Sequence, residues 1–227
     1  MNRSSYLLAG IIGSFALSVY LLVIVPQQQL GSLQPQFTDD EGKMTDIYPI
    51  ENLGIVKAGR DVYIAEGCVY CHSQQVRDEQ NGTDIERGWG TRRTVARDYL
   101  FENPPLLGTS RIGPDLANVG SAKWRDEPAD EDAKYKPAKR DAAWQLLHLY
   151  APKTVVKEST MPPYRYLFLK QKISGQRSQD ALNVPTDPGY EIVPTPEAMK
   201  LVGYLMSLDK SHPLKEVKTA APEVAAK

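Results

Sequence analysis

From Leu7 to Val25 the chain carries no charged side chain and is nearly all apolar, and this run restricts its first segment to a helix in an apolar medium. At about 1.5 Å rise per residue, roughly 19 residues give about 28 Å, close to the hydrocarbon thickness of a bilayer. Pro26 and Gln27-Gln28-Gln29 are expected to end the helix. A cleaved signal sequence is the competing reading. Its apolar core would span only about 7–15 residues and end near a small-x-small site, whereas this run is longer and continues into Pro-Gln-Gln-Gln-Leu. The expectation is therefore an uncleaved single-pass anchor. Arg3 precedes the run, and the first charges after it are Asp39, Asp40 and Glu41. The positive-inside rule then puts the N-terminus in the cytoplasm and the rest of the chain on the periplasmic side of a bacterial inner membrane.

With 27 Lys+Arg against 28 Asp+Glu, the charge balance speaks against a nucleic-acid binder, which would carry a basic excess. The length of 227 residues allows one domain with a real core beyond the anchor, and 17 prolines mark it as loop-rich. The expected fold is mostly α: an N-terminal transmembrane helix and a loop-rich domain with insertions. Residues 1–26 form the tip and anchor, 27–54 a Gln-, Pro- and Asp-rich linker, 55–210 the domain, and 211–227 a flexible tail. Within the domain, Ile55 to Glu66 reads as a helix capped by Gly67. Asp141 caps a short helix through His148, ended by Pro152. Thr195 and Pro196 start a last helix to Leu208 whose apolar face is Met199, Val202, Leu205 and Met206. Lys123 to Arg140 reads as a solvated insertion.

The chain has two cysteines, both inside Cys68-Val69-Tyr70-Cys71-His72. That spacing is the attachment pattern of a c-type haem. Two thiols must reach two vinyl groups of one porphyrin while the adjacent histidine turns its imidazole under the iron. A thioredoxin-like pair would want a βαβ context, which is missing here. A structural zinc site would want four ligands, often from a second cysteine pair. A plain disulfide is the third rival. The histidine beside the pair favours haem c held by Cys68 and Cys71, with His72 on the iron.

The sixth ligand must come from His148, His212 or the methionines at 1, 44, 161, 199 and 206. Met44 lies in the linker, His212 near the end, and Met199 and Met206 read as core of the last helix. Met161 stands in Ser159-Thr160-Met161-Pro162-Pro163, a loop stiffened by prolines that can hold a thioether over a haem face. His/Met ligation raises a haem potential, which suits an electron carrier. Met161 is the preferred ligand and His148 the runner-up. In Ile112-Gly113-Pro114-Asp115-Leu116, the Pro114 carbonyl can accept the free N–H of the axial histidine and fix its tautomer. Arg77 and Arg111 are candidates to meet the haem propionates, with a plain surface role as the alternative.

These blocks resemble subunit II of cbb3-type cytochrome c oxidases, the membrane-anchored monohaem cytochrome. The likeness runs through Gly59-Arg60 to Tyr63, Glu66 to Gln74, Val76-Arg77, Arg111 to Gly120, His148 to Pro152 and Val155 to Tyr164, in the family's order. It implies one haem c on Cys68 and Cys71, with His72 and Met161 axial. It also implies partners: a haem–copper catalytic subunit that reduces O2 and pumps protons, and other cytochrome c subunits of the oxidase. Gln75, Asp78-Glu79 and Gln145 depart from the family pattern. The chain itself has one membrane helix and three histidines, too few for a haem–copper centre, so oxygen chemistry is not expected on it. An electron-transfer role is. Two alternatives stand beside this reading. One is a monohaem subunit of another respiratory complex such as nitric oxide reductase, or a free-standing anchored carrier. The other is a haem-free thiol or metal protein.

Overall fold

The computed structural model describes residues 3–37, 47–122 and 140–217. Asp39, Asp40, Glu41, Met44, nearly all of the charged insertion and the last ten residues lie outside the described residues. The described chain is mostly helical with two small two-stranded sheets. It divides into two compact units, Met1–Ile50 with Val95–Phe101, and Glu51–Thr94 with Glu102–Lys227.

In the first unit, α1 (Arg3–Val19) runs through a π turn at Tyr20–Ile24 into α2 (Val25–Leu30). Together they make 28 continuous residues, long and apolar enough to cross a membrane. The helix does not stop at Pro26, as the sequence led us to expect. A proline lacks the N–H for the ladder, and its ring crowds the carbonyl four residues back. The π turn just upstream, where the Val25 N–H reaches back to Tyr20 O, widens the helix and lets the proline pass. Gly31 closes the run, its N–H on Gln27 O at 2.9 Å. Ser14 and Ser18 turn their hydroxyls onto Ile11 O and Ser14 O, so neither polar group is left bare on the apolar surface. Part of the expected linker is ordered: β1 (Gln36–Phe37) pairs antiparallel with β2 (Ile47–Tyr48). Tyr48 donates to Asp98 Oδ1 at 2.8 Å, and Asp98 Oδ2 accepts the Val95 N–H at 2.8 Å.

The second unit holds the core. α3 (Gly54–Ala65) ends where Glu66 and Gly67 donate to Val62 O and Ile64 O. Gly67 then takes the left-handed conformation, φ +72°, that a non-glycine residue rarely adopts. α4 (Ala142–Tyr150) starts at Asp141, whose carboxylate accepts the Trp144 N–H at 3.0 Å. A hairpin absent from the sequence reading follows: β3 (Phe168–Lys172) pairs with β4 (Tyr190–Pro194), Phe168 opposite Pro194 and Lys172 opposite Tyr190. Buried Glu191 ties it to the loop before it, accepting from Ser178 N–H at 2.8 Å and Gln171 Nε2 at 2.9 Å. These bonds hold its carboxyl below the usual range.

The last helix, α5 (Pro196–Ser207), is capped by Thr195 as expected. Its buried face differs from the expected one. Ala198, Leu201, Val202, Tyr204 and Leu205 are buried, while Met199 points outward at 37% exposure. At 3.6 residues per turn Ala198, Leu201, Val202 and Leu205 all fall to one side of Met199 around the helix, which leaves Met199 at the edge of the inner face. α3 crosses α5 at Gly59, where a Cβ would stand 1.9 Å from Lys200 O. One turn on, Tyr63 and Tyr204 meet edge-on at 5.4 Å. The chain stays packed beyond Ser207. Lys210 is buried and pairs with Glu102 at 2.5 Å, Arg92 Nε donates to His212 O at 2.7 Å, and Leu214 is buried. Residues 211–217, expected within a flexible tail, therefore belong to the folded unit.

Helix propensity alone would favour Gly59→Ala by about 1 kcal/mol. Overpacking against the Lys200 carbonyl is expected to reverse that sign and lower stability by about 1–3 kcal/mol. Denaturant unfolding of the detergent-solubilised chain checks this; a variant as stable as the parent would contradict so close a crossing.

Candidate cofactor site

The left-handed turn at Gly67 swings the chain into a short 3-10 turn, Cys68–Tyr70. The N–H groups of Cys71 and His72 both close onto Cys68 O, at 3.2 and 3.0 Å. Cys68, Cys71 and His72 thus share one tight turn. Cys68 is buried and Cys71 is half-buried, and the two are not joined to each other by a disulfide. Burial and the neighbouring Glu66 push the Cys68 thiol up to about 12.

A second irregular segment runs beside this turn and is laced to it. Thr109 N–H donates to Val69 O at 2.9 Å, Gly113 N–H to Cys71 O at 2.9 Å and Leu116 N–H to Ser73 O at 2.8 Å. In the other direction, Gln74 N–H donates to Leu107 O at 3.1 Å. Buried Asp115 locks the pair, accepting from Ser73 Oγ at 2.6 Å, Gln75 N–H at 2.7 Å and Ala117 N–H at 2.8 Å. Burial raises its carboxyl above the usual range, and these bonds offset that only in part.

The lacing brings Pro114 O to 2.8 Å from His72 Nδ1. A carbonyl can only accept, so Nδ1 carries the proton and Nε2 keeps its lone pair. Burial lowers the imidazole's pKa, against the opposing effects of Pro114 and Asp115. The ring lies close against the backbone at Gly113, where a Cβ would stand 2.2 Å from its Cε1, so the close approach requires glycine.

His72, Cys68 and Pro114 line a mainly apolar cavity with about 530 Å³ of space between atoms, partly open to solvent. Met161 lines the same cavity, as do Trp144, Gln145, His148 and Leu149 of α4, and Leu201 and Leu205 of α5. The Met161 loop is held by Tyr164 N–H on Leu149 O at 2.8 Å and by Met161 N–H on Ser159 Oγ at 3.3 Å. His148 lies parallel to Trp144, ring centres 4.8 Å apart. Burial, with the charges of His72 and Arg140, pushes its imidazole down to about 4.

The structure brings Cys68, Cys71, His72, Pro114 and Met161 into one region, with His148 beside them. It does not bring Arg77 and Arg111 there. Both converge on buried Asp84: Arg77 through Nε at 3.2 Å and a terminal nitrogen at 2.9 Å, Arg111 at 2.5 Å. Arg111 also reaches Gln75 O at 2.5 Å. Burial would raise the Asp84 carboxyl, but the arginines outweigh it and hold it well below the ordinary range. Sequence reasoning gave no role to Asp84 or Asp115. Asp115 could have been found as the acid that follows Pro114; Asp84 had no local signal. Among the described residues no group of three or more His, Cys, Asp and Glu side chains forms a metal cage.

Residues 12–193 match the family described as cytochrome C oxidase, mono-heme subunit/FixO, well over half of the chain. The chain belongs to this family. It is thus a subunit II-type chain of a cbb3-type oxidase, as the blocks around Cys68, Pro114 and Met161 led us to expect. No curated protein matches the chain significantly. The residues present fit the one haem that the family description names. Gly113 leaves the His72 ring room against the backbone, and buried His148 Nδ1 and Gln145 Nε2 have no hydrogen-bond partner among the described residues.

Asp84 ionises more readily in the folded chain than at its usual value near 4, so it stabilises the fold above that pH and loses the contribution as pH falls below it. Asp84→Asn is expected to lose about 3 kcal/mol at neutral pH. The deficit should narrow in denaturation curves taken near pH 3. A deficit that does not change with pH would mean that the charge is not what matters.

Proposed function

We propose that this chain is the membrane-anchored electron-transfer cytochrome of its oxidase, with one haem c bound covalently through Cys68 and Cys71. The observation that carries the proposal is the His72–Pro114 hydrogen bond, set directly behind a cysteine pair at haem-attachment spacing. His72 offers its Nε2 lone pair to the iron, and Pro114 O fixes that tautomer and ring orientation. Met161, on its proline-stiffened loop and lining the same cavity as His72, would supply a thioether to the iron. The bound haem supplies reversible one-electron chemistry. The chain's own residues orient it, keep water from it with the apolar walls of α4 and α5, and set its potential through the thioether.

In this reading the N-terminus is cytoplasmic and the haem-bearing part periplasmic, because Arg3 stands before the anchor and haem c is attached on that side. The anchor and the domain after residue 54 are separate functional parts, joined by the segment between them. Electrons pass toward a haem–copper subunit that reduces O2, with other cytochrome c subunits as further partners, and the chain performs no oxygen chemistry itself. The buried, poorly ionised Cys68 thiol weighs against a thiol–disulfide role, which needs a thiolate.

A pyridine haemochrome spectrum of the denatured full chain is expected to show one covalent haem c per polypeptide; its absence would overturn the proposal. Met161→Ala is expected to keep the haem attached, change the iron spin state and lower the reduction potential. Survival of the far-red thioether-to-iron absorption band in that variant would rule out Met161 as the ligand.

A further inference from the structure

The two arginines that sequence reasoning offered to the haem carboxylates are occupied by Asp84, and neither lines the cavity. No lysine or arginine is among the residues that do. A haem nevertheless carries two propionates, and each needs donors wherever it leaves solvent. Several buried polar groups line the cavity, and two of them stand together on α4: His148 Nδ1 and Gln145 Nε2, three residues apart on one helix face, each without a hydrogen-bond partner among the described residues. Gln145 is only 4% exposed, so its amide has no recourse to water. Donors in this state are costly unless a ligand answers them. Arg140, whose guanidinium stands 5.7 Å from the Trp144 ring centre, adds a positive charge that bears on His148.

We propose that the inner face of α4, through Gln145 Nε2 and His148 Nδ1, binds the propionate edge of the haem and not its iron. This rests on the haem reading above. Two features favour a carboxylate over the metal at His148. Its ring is stacked within 8° of parallel on Trp144, a contact that holds the imidazole in place along the α4 face and that any rotation of the ring would break. Its neighbour in function, Gln145, is an amide that donates well to a carboxylate and is a poor iron ligand. His148 acts here as a neutral donor, in keeping with the burial that disfavours its charged form.

The test uses the full anchored chain, haem-loaded in the cell and purified in detergent, with His148→Leu, His148→Asn and Gln145→Leu. The readouts are the haemochrome stoichiometry, the far-red thioether band and the propionate bending modes in resonance Raman spectra. In His148→Leu and Gln145→Leu, covalent haem and the far-red band are expected to persist while a propionate bending mode shifts to lower frequency. His148→Asn, which keeps a donor near the Nδ1 position, is expected to restore the parent frequency. Should His148→Leu fail to accumulate, Gln145→Leu alone carries the test. Unshifted bending modes in the leucine variants obtained would overturn the inference while leaving the haem reading intact. Loss of the far-red band in His148→Leu without a propionate shift would put His148 on the iron side and overturn it too. A parent chain without haem would overturn the functional reading and this inference with it.

Discussion

The hydrogen bond from His72 Nδ1 to Pro114 O depends on two loops that have no regular secondary structure, and the rest of the site depends on it. An imidazole with a free ring torsion would sample many orientations; one tied to a fixed carbonyl presents its second nitrogen in a single direction. The carbonyl is fixed because residues 107–116 are laced to 69–74 by backbone bonds, and because Asp115 grips Ser73, Gln75 and Ala117 at once. Gly113 completes the arrangement by leaving no side chain between ring and backbone.

Carboxylates do for the irregular segments of this unit what ladders do for a sheet. Buried Asp84 gathers Arg77 and Arg111, buried Asp115 joins two loops, buried Glu191 ties the β3–β4 hairpin to Ser178, and partly buried Glu102 meets Lys210. A carboxylate offers two oxygens and roughly four lone-pair sites, so one side chain can satisfy several N–H groups that lack a helix or strand partner. The requirement is that each acid be nearly saturated, since a half-satisfied one in a buried position destabilises the fold. Arg111 shows how these brackets join up. It touches Asp84 and Gln75 O and stands 3.9 Å from Asp115, connecting the outer bracket to the one behind His72.

The features legible in the sequence were those whose physics closes within a few residues. The cysteine–histidine turn, the glycine at 67, the caps at Asp141 and Thr195 and the apolar run of the anchor each rest on neighbours in the chain. The features that were not legible depend on partners far away or on a local exception. Arg77 and Arg111 looked free because nothing near Arg111 marks Asp84, 27 positions earlier, as their shared acid. Met199 looked buried because a methionine on a helix is apolar, but the Gly59 crossing sets which face of α5 turns inward. The hairpin escaped because Phe168 is buried while the next four residues of its strand are exposed, so the alternation that marks a strand is missing. Pro26 passed through its helix because a π turn relieved it, which no local propensity anticipates.

The segment from α5 to Leu214 closes the unit. Tyr204 donates to Gln74 from 130 positions away, Arg92 reaches His212 across 120 and Lys210 meets Asn118 across 92. Leu201 and Leu205 form one wall of the cavity, and the Lys200 backbone is the surface against which Gly59 fits. Contacts of such sequence separation carry a larger loop-closure entropy than local ones. The cavity behind Cys68 is therefore not a property of the segment that carries the cysteines. It is built by both ends of the unit, Cys68 and His72 on one side and Leu201 and Leu205 on the other, so the residues that would hold a cofactor and the walls that would enclose it are more than a hundred positions apart in the chain.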